Sequence, residues 1–295
     1  MKKNKIFALG FFDGVHRGHQ VLLKECVRIA QENNCIPAAI TFDNHPRSFY
    51  HPNPPKLIST NTDRIILLKS YGIQDVALLP VNDRFMSMHW RRFLEYMVSC
   101  GAAGFVCGDD FRFGYKGIGD TERLQQFCAE RGMPCTIVQE QTLEGLRISS
   151  THVRKLIAEG NVTNAAEFLG HPHLLSGIVV PGRRLGRTIG IPTANFLVPD
   201  AVIIPKHGVY TCLCHLQGRT YAAVTNIGSR PTVGGHQVRV ESWILGFEGD
   251  LYGKSITLEM YEYLRPERKF DSLQELKAQI LKDAGHARRL LQSRY

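Results

Sequence analysis

Several signatures that would assign a chain to a large functional class are missing from these 295 residues. No apolar run approaches the roughly 20 residues that a membrane-spanning helix needs. None of the eight cysteines forms a C-x-x-C pair with the spacing of a zinc site. No G-x-G-x-x-G fingerprint follows a predicted strand, and no long lysine tract or aromatic RNA-binding signature occurs. Membrane proteins, zinc modules and the common nucleic-acid-binding folds are therefore disfavoured.

One apparent phosphate-binding motif also fails on inspection. Gly253-Lys254-Ser255 matches the end of a P-loop, G-x-x-x-x-G-K-[ST], but the first glycine would have to be Glu248. The residues that follow, ITLEMYEYL, predict a strand, whereas a P-loop is followed by a helix. We reject this motif.

The composition predicts a globular chain with two domains of ordinary size. Hydrophobic residues make up 43% of the sequence, enough for sizeable cores. The start, MKKNKIFALGFF, imitates a signal peptide, but Asp13 and His16 interrupt it and no small-residue cleavage site follows. Several cysteines lie within apolar runs, as reduced core cysteines do. We therefore expect a cytoplasmic location.

The net charge of +9 leaves a nucleic-acid partner open but does not require one. Residues 1–172 carry a net charge of +3 and residues 173–295 a net charge of +6. Only Arg183, Arg184 and Arg187 are concentrated, in a glycine-rich loop. Small polyphosphate ligands explain this balance as well as a duplex does. We expect no nucleic-acid or membrane partner, and a monomer or a weak homo-oligomer.

The first half of the chain alternates short apolar runs with amphipathic segments, which predicts a parallel sheet covered by helices. The predicted strands are 6–11, 36–41, 75–79, 104–107 and 135–138. The predicted helices are 18–31, 63–71, 90–99, 121–131 and 150–158. In such sheets ligands bind beyond the carboxyl ends of the strands. The loops after the first, second and fourth strands should therefore converge on one crevice.

Near residue 172 the pattern changes to β-like runs separated by glycine and proline, as in a small antiparallel barrel. The predicted strands are 176–180, 208–216, 220–226, 237–245 and 255–263. A helix is predicted from Ser272 to about Leu291, with Ser272 as N-cap and Glu275 three residues later. We therefore predict two domains, residues 1–172 and 173–295.

A histidine motif lies at the first predicted strand-to-helix turn. His16-Arg17-Gly18-His19 follows an apolar strand and opens a helix, where free backbone N–H groups and the helix dipole favour anions. Two imidazoles, an arginine and a permissive glycine indicate a triphosphate cradle. The alternative is a pair of capping or surface histidines.

A second candidate clamp is Ile148-Ser149-Ser150-Thr151-His152-Val153-Arg154, where hydroxyl residues begin a helix and Arg154 lies one turn later. Alone, this pattern is a good N-cap. Opposite the histidines, it supplies hydroxyls, N–H groups and a guanidinium for phosphate.

Four patches of this half resemble the FAD synthetase module of prokaryotic bifunctional riboflavin kinase/FAD synthetases, in the nucleotidyltransferase superfamily. They are G-F-F-D-G-V-H-R-G-H, T-F-D-N-H-P, G-D-D-F-R-F-G and I-S-S-T-H-V-R, with Asn44 where the family usually has proline. The resemblance implies a Rossmann-like fold and adenylyl transfer from ATP to FMN, with His16, His19 and Arg154 as catalytic residues. It implies ATP binding by Gly10, Phe11, Asp13, Gly14, His16, Gly18, His19, Ser149, Ser150, Thr151 and Arg154.

The flavin residues of this half are less sharply indicated. The resemblance implies that Asp110 and its loop orient nucleotide or flavin. Phe111 and Phe113, the aromatic residues of that loop, are candidates to stack on the isoalloxazine ring. Asp43 and His45 are expected to bind flavin as well. Core packing of the phenylalanines and a structural role for Asp43 and His45 remain open.

The second half begins with the sequence GIVVPGRRLGRTIGIPTAN at residues 177–195, a glycine- and arginine-rich stretch typical of a phosphate-covering loop. The alternative is a barrel with glycine turns and solvated arginines. Directly after it, Thr193 and Asn195 offer the hard oxygen ligands that suit Mg²⁺ shared with substrate phosphates.

This half resembles riboflavin kinase in the P-T-A-N motif and in several later segments. These are Gly208–Tyr210, Asn226–Thr232, Val240–Ser242, Asp250–Gly253 and residues 264–280. The implied reaction is attack of the riboflavin hydroxyl on the γ-phosphate of ATP, with Glu241 as base. The resemblance implies ATP binding by Gly182, Arg183, Gly186, Arg187 and Thr193, and flavin binding by Asn226, Arg230, Thr232 and Glu241. Trp243 and Gly246 depart from the family pattern.

The sequence therefore predicts a bifunctional enzyme that makes FMN and then FAD, with ATP, riboflavin and FMN as substrates and Mg²⁺ as cofactor. One alternative is a catalytically silent flavin or nucleotide carrier of the same fold. A nucleic-acid-binding protein is another. It would have to bind DNA independently of sequence, with an affinity that falls steeply as the salt concentration rises.

Overall fold

The structure of the protein is a computed structural model, which describes residues 4–182, 186, 190–232 and 235–294. The side chains of residues 230–232 and 235–237 lie outside this description. The chain divides into two compact units, Met1–Leu57 with Asn61–Ser150 and Ile58–Thr60 with Thr151–Tyr295. The helices between residues 150 and 169 fall in the second unit, whereas the predicted boundary at residue 172 assigns them to the first domain.

The apolar runs of the first unit form a five-stranded parallel sheet in the order β3-β2-β1-β4-β5. Its strands are β1 (Lys5–Leu9), β2 (Ile36–Phe42), β3 (Asp75–Leu79), β4 (Ala102–Gly108) and β5 (Cys135–Val138). The strand order reverses at β1, which has β2 on one side and β4 on the other. A reversal of this kind leaves a crevice at the carboxyl ends of the strands.

Helices cover both faces of this sheet. They are α1 (Arg17–Glu32), α2 (Asn61–Ser70), α3 (Asp83–Met86), α4 (Trp90–Ser99) and α5 (Thr121–Ala129). Because successive strand residues point to opposite faces, Ile6 packs with α1 while Phe7 packs with α4 and α5. Burial on both faces explains why β1 is a continuous apolar run without alternation.

Short elements occupy the loops of this unit and the segment that follows its last strand. Single 3₁₀ turns occur at Asp13–Val15, Pro46–Phe49 and Tyr115–Gly117. A hairpin of β6 (Thr142–Leu143) and β7 (Leu146–Arg147) leads into α6 (Ser150–Ala158) and α7 (Val162–Leu169). In the second unit α7 packs on the barrel, where the Thr163 hydroxyl donates to the carbonyl of Tyr261 at 3.0 Å.

The second half forms a closed antiparallel barrel in the strand order β10-β11-β12-β9-β8-β13. Its strands are β8 (His173–Val180), β9 (Ala194–Leu197), β10 (Gly208–Leu216), β11 (Arg219–Thr232), β12 (Gly235–Ile244) and β13 (Ser255–Arg265). The interior is filled by inward-facing side chains such as Leu175, Cys212 and Leu258. Closure leaves no free sheet edge at these strands. The predicted fold class is confirmed for both halves.

One barrel strand, β9, was not predicted. It spans only Ala194–Leu197 and buries Phe196, so it is too short to show alternation in the sequence. Its conformation comes from pairing with β12 on one side and β8 on the other. β11 is also longer than predicted, because its outer half pairs with β12 out to Thr232.

The C-terminal helix, α8 (Leu273–Leu291), packs on the outside of the barrel. Ala284, Ala287 and Leu291 contact apolar side chains of β10 and β11. The predicted N-cap is confirmed, since the hydroxyl of Ser272 accepts from the backbone N–H of Glu275 at 3.2 Å. In the parts of the chain that the structure describes, no helix is both long and apolar enough to span a bilayer.

Candidate active sites

The turn between β1 and α1 brings the two predicted histidines together. His16 is the N-cap of α1, and its Nδ1 accepts from the backbone N–H of His19 at 3.3 Å. The two imidazole rings are stacked, with centroids 3.6 Å apart and planes inclined by 12°. At the start of the turn, a Cβ on Gly10 would lie 2.9 Å from the ring of Phe12. Glycine therefore allows the turn to fold back over itself.

The second motif reaches this turn from the other end of the unit. The hydroxyl of Ser150 donates to the carbonyl of Asp13 at 3.1 Å, across 137 residues of sequence. Ser149 and Ser150 are half-buried, and Asp13 is 1% exposed. The structure thus joins the hydroxyl motif to the histidine turn. Thr151 and Arg154 continue along α6, which belongs to the second unit from Thr151 onward.

Asp43 and His45 hold the loop after β2 in place. The Asp43 carboxylate accepts from the N–H of Val81 at 2.9 Å, and the Asp43 carbonyl accepts from Asn61 at 2.8 Å. His45 Nδ1 accepts from the N–H of Arg47 at 3.1 Å and caps a 3₁₀ turn. These contacts give both residues a structural role, so the alternative noted from the sequence has direct support. The family departure, Asn44, also caps locally, accepting from the N–H of His45 at 2.8 Å.

An apolar cavity of about 200 Å³ opens beside the carboxyl ends of β1 and β2. Phe111 and Phe113 line it with their rings stacked 5.6 Å apart, and Gly10 forms part of its wall. Phe113 is only 6% exposed and also belongs to the core. Its ring therefore serves packing as well as the cavity.

Asp110 does not line this cavity. Its carboxylate pairs with the guanidinium of Arg147 at 2.7 Å, and Arg147 also pairs with Glu140 at 2.8 Å. Sequence reasoning missed Arg147, although it directly precedes the I-S-S-T motif. Its position on β7 links the loop after β4 to the segment that enters α6.

Two cavities of the barrel meet at Thr193. One of about 440 Å³ is walled by Gly190, by residues of β8, β9 and β12, and by the segment after β12 that includes Asp250 and Tyr252. The other, of about 320 Å³, lies between the outer face of the barrel and α8. Its polar and aromatic lining consists of Thr193, Asn226, Glu241, Trp243, Arg265, Glu267, Arg268, Phe270 and Asp283.

Asn195 has a buried side-chain oxygen that accepts no hydrogen bond from the described residues. The residue is 8% exposed, and within the described ranges its Oδ1 has no hydrogen-bond donor. A Cβ on Gly182 would clash with the Asn195 amide at 2.2 Å, and one on Gly186 would lie 3.5 Å from the Thr193 hydroxyl. Glycines therefore let the loop approach both oxygen donors. An orphaned amide oxygen beside a hydroxyl fits a hard cation.

Glu241 lies on β12 between two predicted ligands. It is opposite Asn226 of β11 and opposite Asn195 of β9. The Glu241 carboxylate accepts from Arg239 Nη1 at 2.7 Å, and Asn226 donates to the carboxylate of Glu267 at 3.0 Å. Arg239 and Glu267 were missed, though Arg239 has a signal: it stands two residues before Glu241 and so shares its face of the strand.

Four predicted site residues cannot be located in this way. Arg183 and Arg187 lie outside the described residues, and so do the side chains of Arg230 and Thr232. Both departures from the family pattern are described. Trp243 lines the cavity beneath α8, and Gly246 adopts φ 78°, which a residue without Cβ accommodates at no steric cost.

Comparison with known proteins assigns the two halves separately. Residues 1–152 match the FAD synthetase family and residues 169–291 match the riboflavin kinase family. A bifunctional riboflavin kinase/FMN adenylyltransferase of Listeria monocytogenes is 35% identical over 97% of this chain and 92% of its own length. One of Escherichia coli strain K12 is 36% identical over 96% of this chain and 91% of its own.

The chain belongs to the bifunctional riboflavin kinase/FMN adenylyltransferase family. Its FAD synthetase part precedes its flavokinase part, in the predicted order, and the prediction of a two-reaction transferase is confirmed. A crystal structure from Streptococcus pneumoniae, described as a macrolide-efflux protein, shares the fold with a TM-score of 0.87. It is 31% identical and covers 98% of this chain and 95% of its own. The efflux description belongs to that protein alone.

Proposed function

We propose that adenylyl transfer to FMN takes place at the turn between β1 and α1. The observation that supports this is the Ser150–Asp13 hydrogen bond, which joins the hydroxyl motif to the stacked His16–His19 pair. His16 and His19 contact the ATP phosphates at the helix N-terminus, where backbone N–H groups favour anions. Ser149, Ser150, Thr151 and Arg154 bind the β/γ end of the triphosphate, and Gly10, Phe11, Asp13, Gly14 and Gly18 shape the turn.

The chemistry at this first site needs no protein base. A phosphate oxygen of FMN attacks the α-phosphorus of ATP, the bond to the bridging oxygen breaks, and pyrophosphate leaves. The nucleophile is already an anion, so the protein contributes positioning and charge stabilisation of the transition state. We place the isoalloxazine ring in the 200 Å³ cavity against Phe111 and Phe113, with Asp43, His45 and Asp110 in the loops that bound it.

We propose that the barrel phosphorylates riboflavin, with the two substrates in the two cavities that meet at Thr193. Riboflavin occupies the 320 Å³ cavity beneath α8, with Asn226, Arg230, Thr232 and Glu241 as its ligands, and ATP occupies the 440 Å³ cavity. Gly182, Arg183, Gly186, Arg187 and Thr193 bind the ATP phosphates. Glu241 takes the proton of the ribityl hydroxyl as its oxygen attacks the γ-phosphorus and ADP leaves. An alcohol nucleophile benefits from such a base, in contrast to the phosphate at the first site.

Thr193 and Asn195 would hold Mg²⁺ at the ATP phosphates. The fit is supported by the buried Asn195 oxygen that lacks a donor in the described chain. When bound, the ion neutralises phosphate charge. The protein's own contribution is to fix Asn195 on a strand that is paired on both sides, with Thr193 directly before that strand.

We further propose the domain limits 1–172 and 173–295 and a cytoplasmic location. The limits keep the I-S-S-T helix with the histidine turn that it serves. The location is supported by eight free cysteines, among which burial raises the pKa of Cys212 and Cys214 to about 12. Such thiols persist unpaired in a reducing compartment.

The test is a time course of the purified chain with riboflavin, ATP and Mg²⁺, resolving FMN and FAD by chromatography. FMN should appear first and FAD after it. His19→Ala should lower FAD formation from supplied FMN by about 100-fold, the usual scale for one lost electrostatic contact, and spare FMN formation. Glu241→Gln should do the reverse. The two variants serve as each other's folding control, and equal loss of both activities in either variant would contradict the assignment.

A further inference from the structure

The turn between β1 and α1 uses backbone conformations that side chains resist. Phe12, Gly14 and Val15 have φ angles of 54°, 75° and 42°. Left-handed backbone is uncommon for residues with a Cβ, and for a β-branched valine it is an outlier. Phe12 and Val15 are wholly buried, so neither side chain is free to relieve the strain. Strain of this kind persists only where surrounding groups enforce it.

Arg64 of α2 is the first group that enforces the turn. The side chain is wholly buried, and its Nη1 donates to the carbonyls of Phe11 at 3.2 Å and Phe42 at 2.9 Å. The same Nη1 donates to the hydroxyl of Thr41 at 2.9 Å, and Thr41 in turn donates to the Phe11 carbonyl at 2.6 Å. The guanidinium also lies 4.5 Å from the centre of the Phe11 ring. One cation therefore joins the loop after β1 to the end of β2.

A buried charge at this place is costly. Burial lowers the pKa of Arg64, and the nearby carboxylates of Asp13 and Asp43 oppose the effect. An apolar side chain of similar volume would pack here without that desolvation cost. What the arginine adds is a planar guanidinium whose Nη1 donates both to the backbone at the start of the turn and to the end of β2.

Gln20 of α1 enforces the end of the turn. Its side-chain Nε2 donates to the carbonyl of Val15 at 2.9 Å, and the residue is 8% exposed. That carbonyl belongs to the strained peptide directly before His16. The backbone N–H of Gln20 donates to the His16 carbonyl at 3.0 Å, so Gln20 holds two consecutive carbonyls. The position of the first histidine is therefore set from one turn inside the helix.

We propose that Arg64 and Gln20 are positioning residues for adenylyl transfer, because they hold the left-handed turn and so fix His16 and His19. This rests on the proposed function, in which the two histidines contact the nucleotide phosphates. Neither Arg64 nor Gln20 needs to touch ATP, since both act through the backbone. Their loss should lower kcat for FAD formation and leave the KM for FMN unchanged.

Gln20→Met is the first test, because it keeps the length of the side chain and removes only the amide. In the full chain, kcat for FAD formation should fall about tenfold, a modest fraction of what misplacement by 1 Å can cost. Riboflavin phosphorylation by the same molecules should not change. The matched control is Gln31→Met, the same substitution at an exposed position of α1, which should leave both activities intact.

Arg64→Lys and Arg64→Met form the second pair. Lysine keeps a cation but loses the planar fork, so its kcat for FAD formation should lie between those of wild type and Arg64→Met. If Arg64→Met fails to fold, Gln20→Met carries the test alone. Lysine and methionine variants with wild-type kcat would overturn the role of Arg64.

A double-mutant cycle separates positioning from plain stability. If Gln20 acts through the histidines, Gln20→Met should cost little more once His19→Ala is present. An equal tenfold loss in both backgrounds, with His19→Ala itself defective, would overturn the positioning role. A His19→Ala variant with full adenylyl transfer would instead contradict the proposed function on which this inference rests.

Discussion

Asn195 and His173 are buried polar residues of the barrel, and each has side-chain atoms without a hydrogen-bond partner in the described structure. The buried oxygen of Asn195 lies two residues after Thr193, which lines both barrel cavities, and in the proposed function a cation is its partner. His173 lies at the start of β8 with no exposed surface, and in the described structure neither ring nitrogen has a partner. Burial, with a smaller contribution from His171, lowers the pKa of His173 to about 3. The ring is therefore neutral in the folded barrel.

His173 should make the barrel labile to acid. In the unfolded chain the ring titrates near 6.5. Above that pH the ring is neutral in both the folded and the unfolded chain, so its protonation does not reduce stability. As the pH falls from about 6.5 towards 3, the unfolded state takes up the proton first and stability is lost. Relative to His173→Leu, the wild-type barrel should lose up to about 1.4 kcal/mol per pH unit in this window.

Urea unfolding at pH 7.5, 6 and 5 measures this loss. Fluorescence of Trp243 reports on the barrel once Trp90, the other tryptophan, is changed to phenylalanine. The difference in unfolding free energy between wild type and His173→Leu should shift as the pH falls. Parallel pH curves for the two proteins would show that His173 is not the group responsible.

At the scale of elements, an ion pair ties α8 to the barrel. Arg265 at the end of β13 donates from Nε and Nη2 to one carboxylate oxygen of Asp283, at 3.0 Å and 2.8 Å. Gln279 donates to the other oxygen at 2.7 Å. The Arg265 and Asp283 side chains are 17% and 6% exposed. Removing one partner leaves the other buried and unpaired.

Asp283→Ala should lower the free energy of unfolding of the barrel by about 3 kcal/mol, near the low end for a broken buried pair because Arg265 keeps some exposure. Urea unfolding followed at Trp243 measures it. Lys282→Ala, at the exposed neighbouring position, is the control and should change little. A loss below about 1 kcal/mol would class the pair with surface salt bridges.

Elements with a long apolar pattern were predictable, and those made by distant pairing were not. Asp75–Leu79, Trp90–Ser99 and Ser150–Ala158 have the predicted limits, because their periodicity or caps are local. The first strand was predicted to reach Phe11 but ends at Leu9, since Phe12 turns left-handed to form the histidine turn. β9 was not predicted because its conformation depends on pairing with β8 and β12, which are separate segments of the sequence.

The candidate sites show the same division. The candidate residues that lie within a motif, such as His16, Asn195 and Glu241, are proposed from the sequence. The residues that hold them in place could not be predicted, because these contacts span long stretches of sequence. Arg64 contacts Phe11 across 53 residues, and Glu267 contacts Asn226 across 41 residues. A motif records which groups the chemistry needs. The side chains that hold them come from other elements and carry no fixed spacing.

For the whole molecule, two separate sites predict complementation between chains. A mixture of His19→Ala and Glu241→Gln proteins with riboflavin, ATP and Mg²⁺ should make FAD, because the first supplies FMN and the second consumes it. FAD should appear after a lag that shortens as enzyme concentration rises. Each variant alone should stop, one at FMN and the other at riboflavin. Chromatography of the products measures this.

Wild-type chain at the same total concentration is the reference. FMN that accumulates in the mixture without conversion, while the Glu241→Gln protein still adenylylates added FMN, would mean that the intermediate is not released. That result would contradict independent sites and favour transfer within one chain.

If Thr193 and Asn195 bind phosphate and cation as proposed, the four-residue strand β9 couples closure of the barrel to ligand binding. Only three residue pairs join β9 to β12 and three join it to β8, so few backbone hydrogen bonds oppose its local opening. Asn195 lies on that strand, and Thr193 directly precedes it. A ligand that requires both residues in place binds only the closed form and therefore stabilises it by mass action. Without nucleotide, amide protons of β9 should exchange with solvent before those of the longer strands.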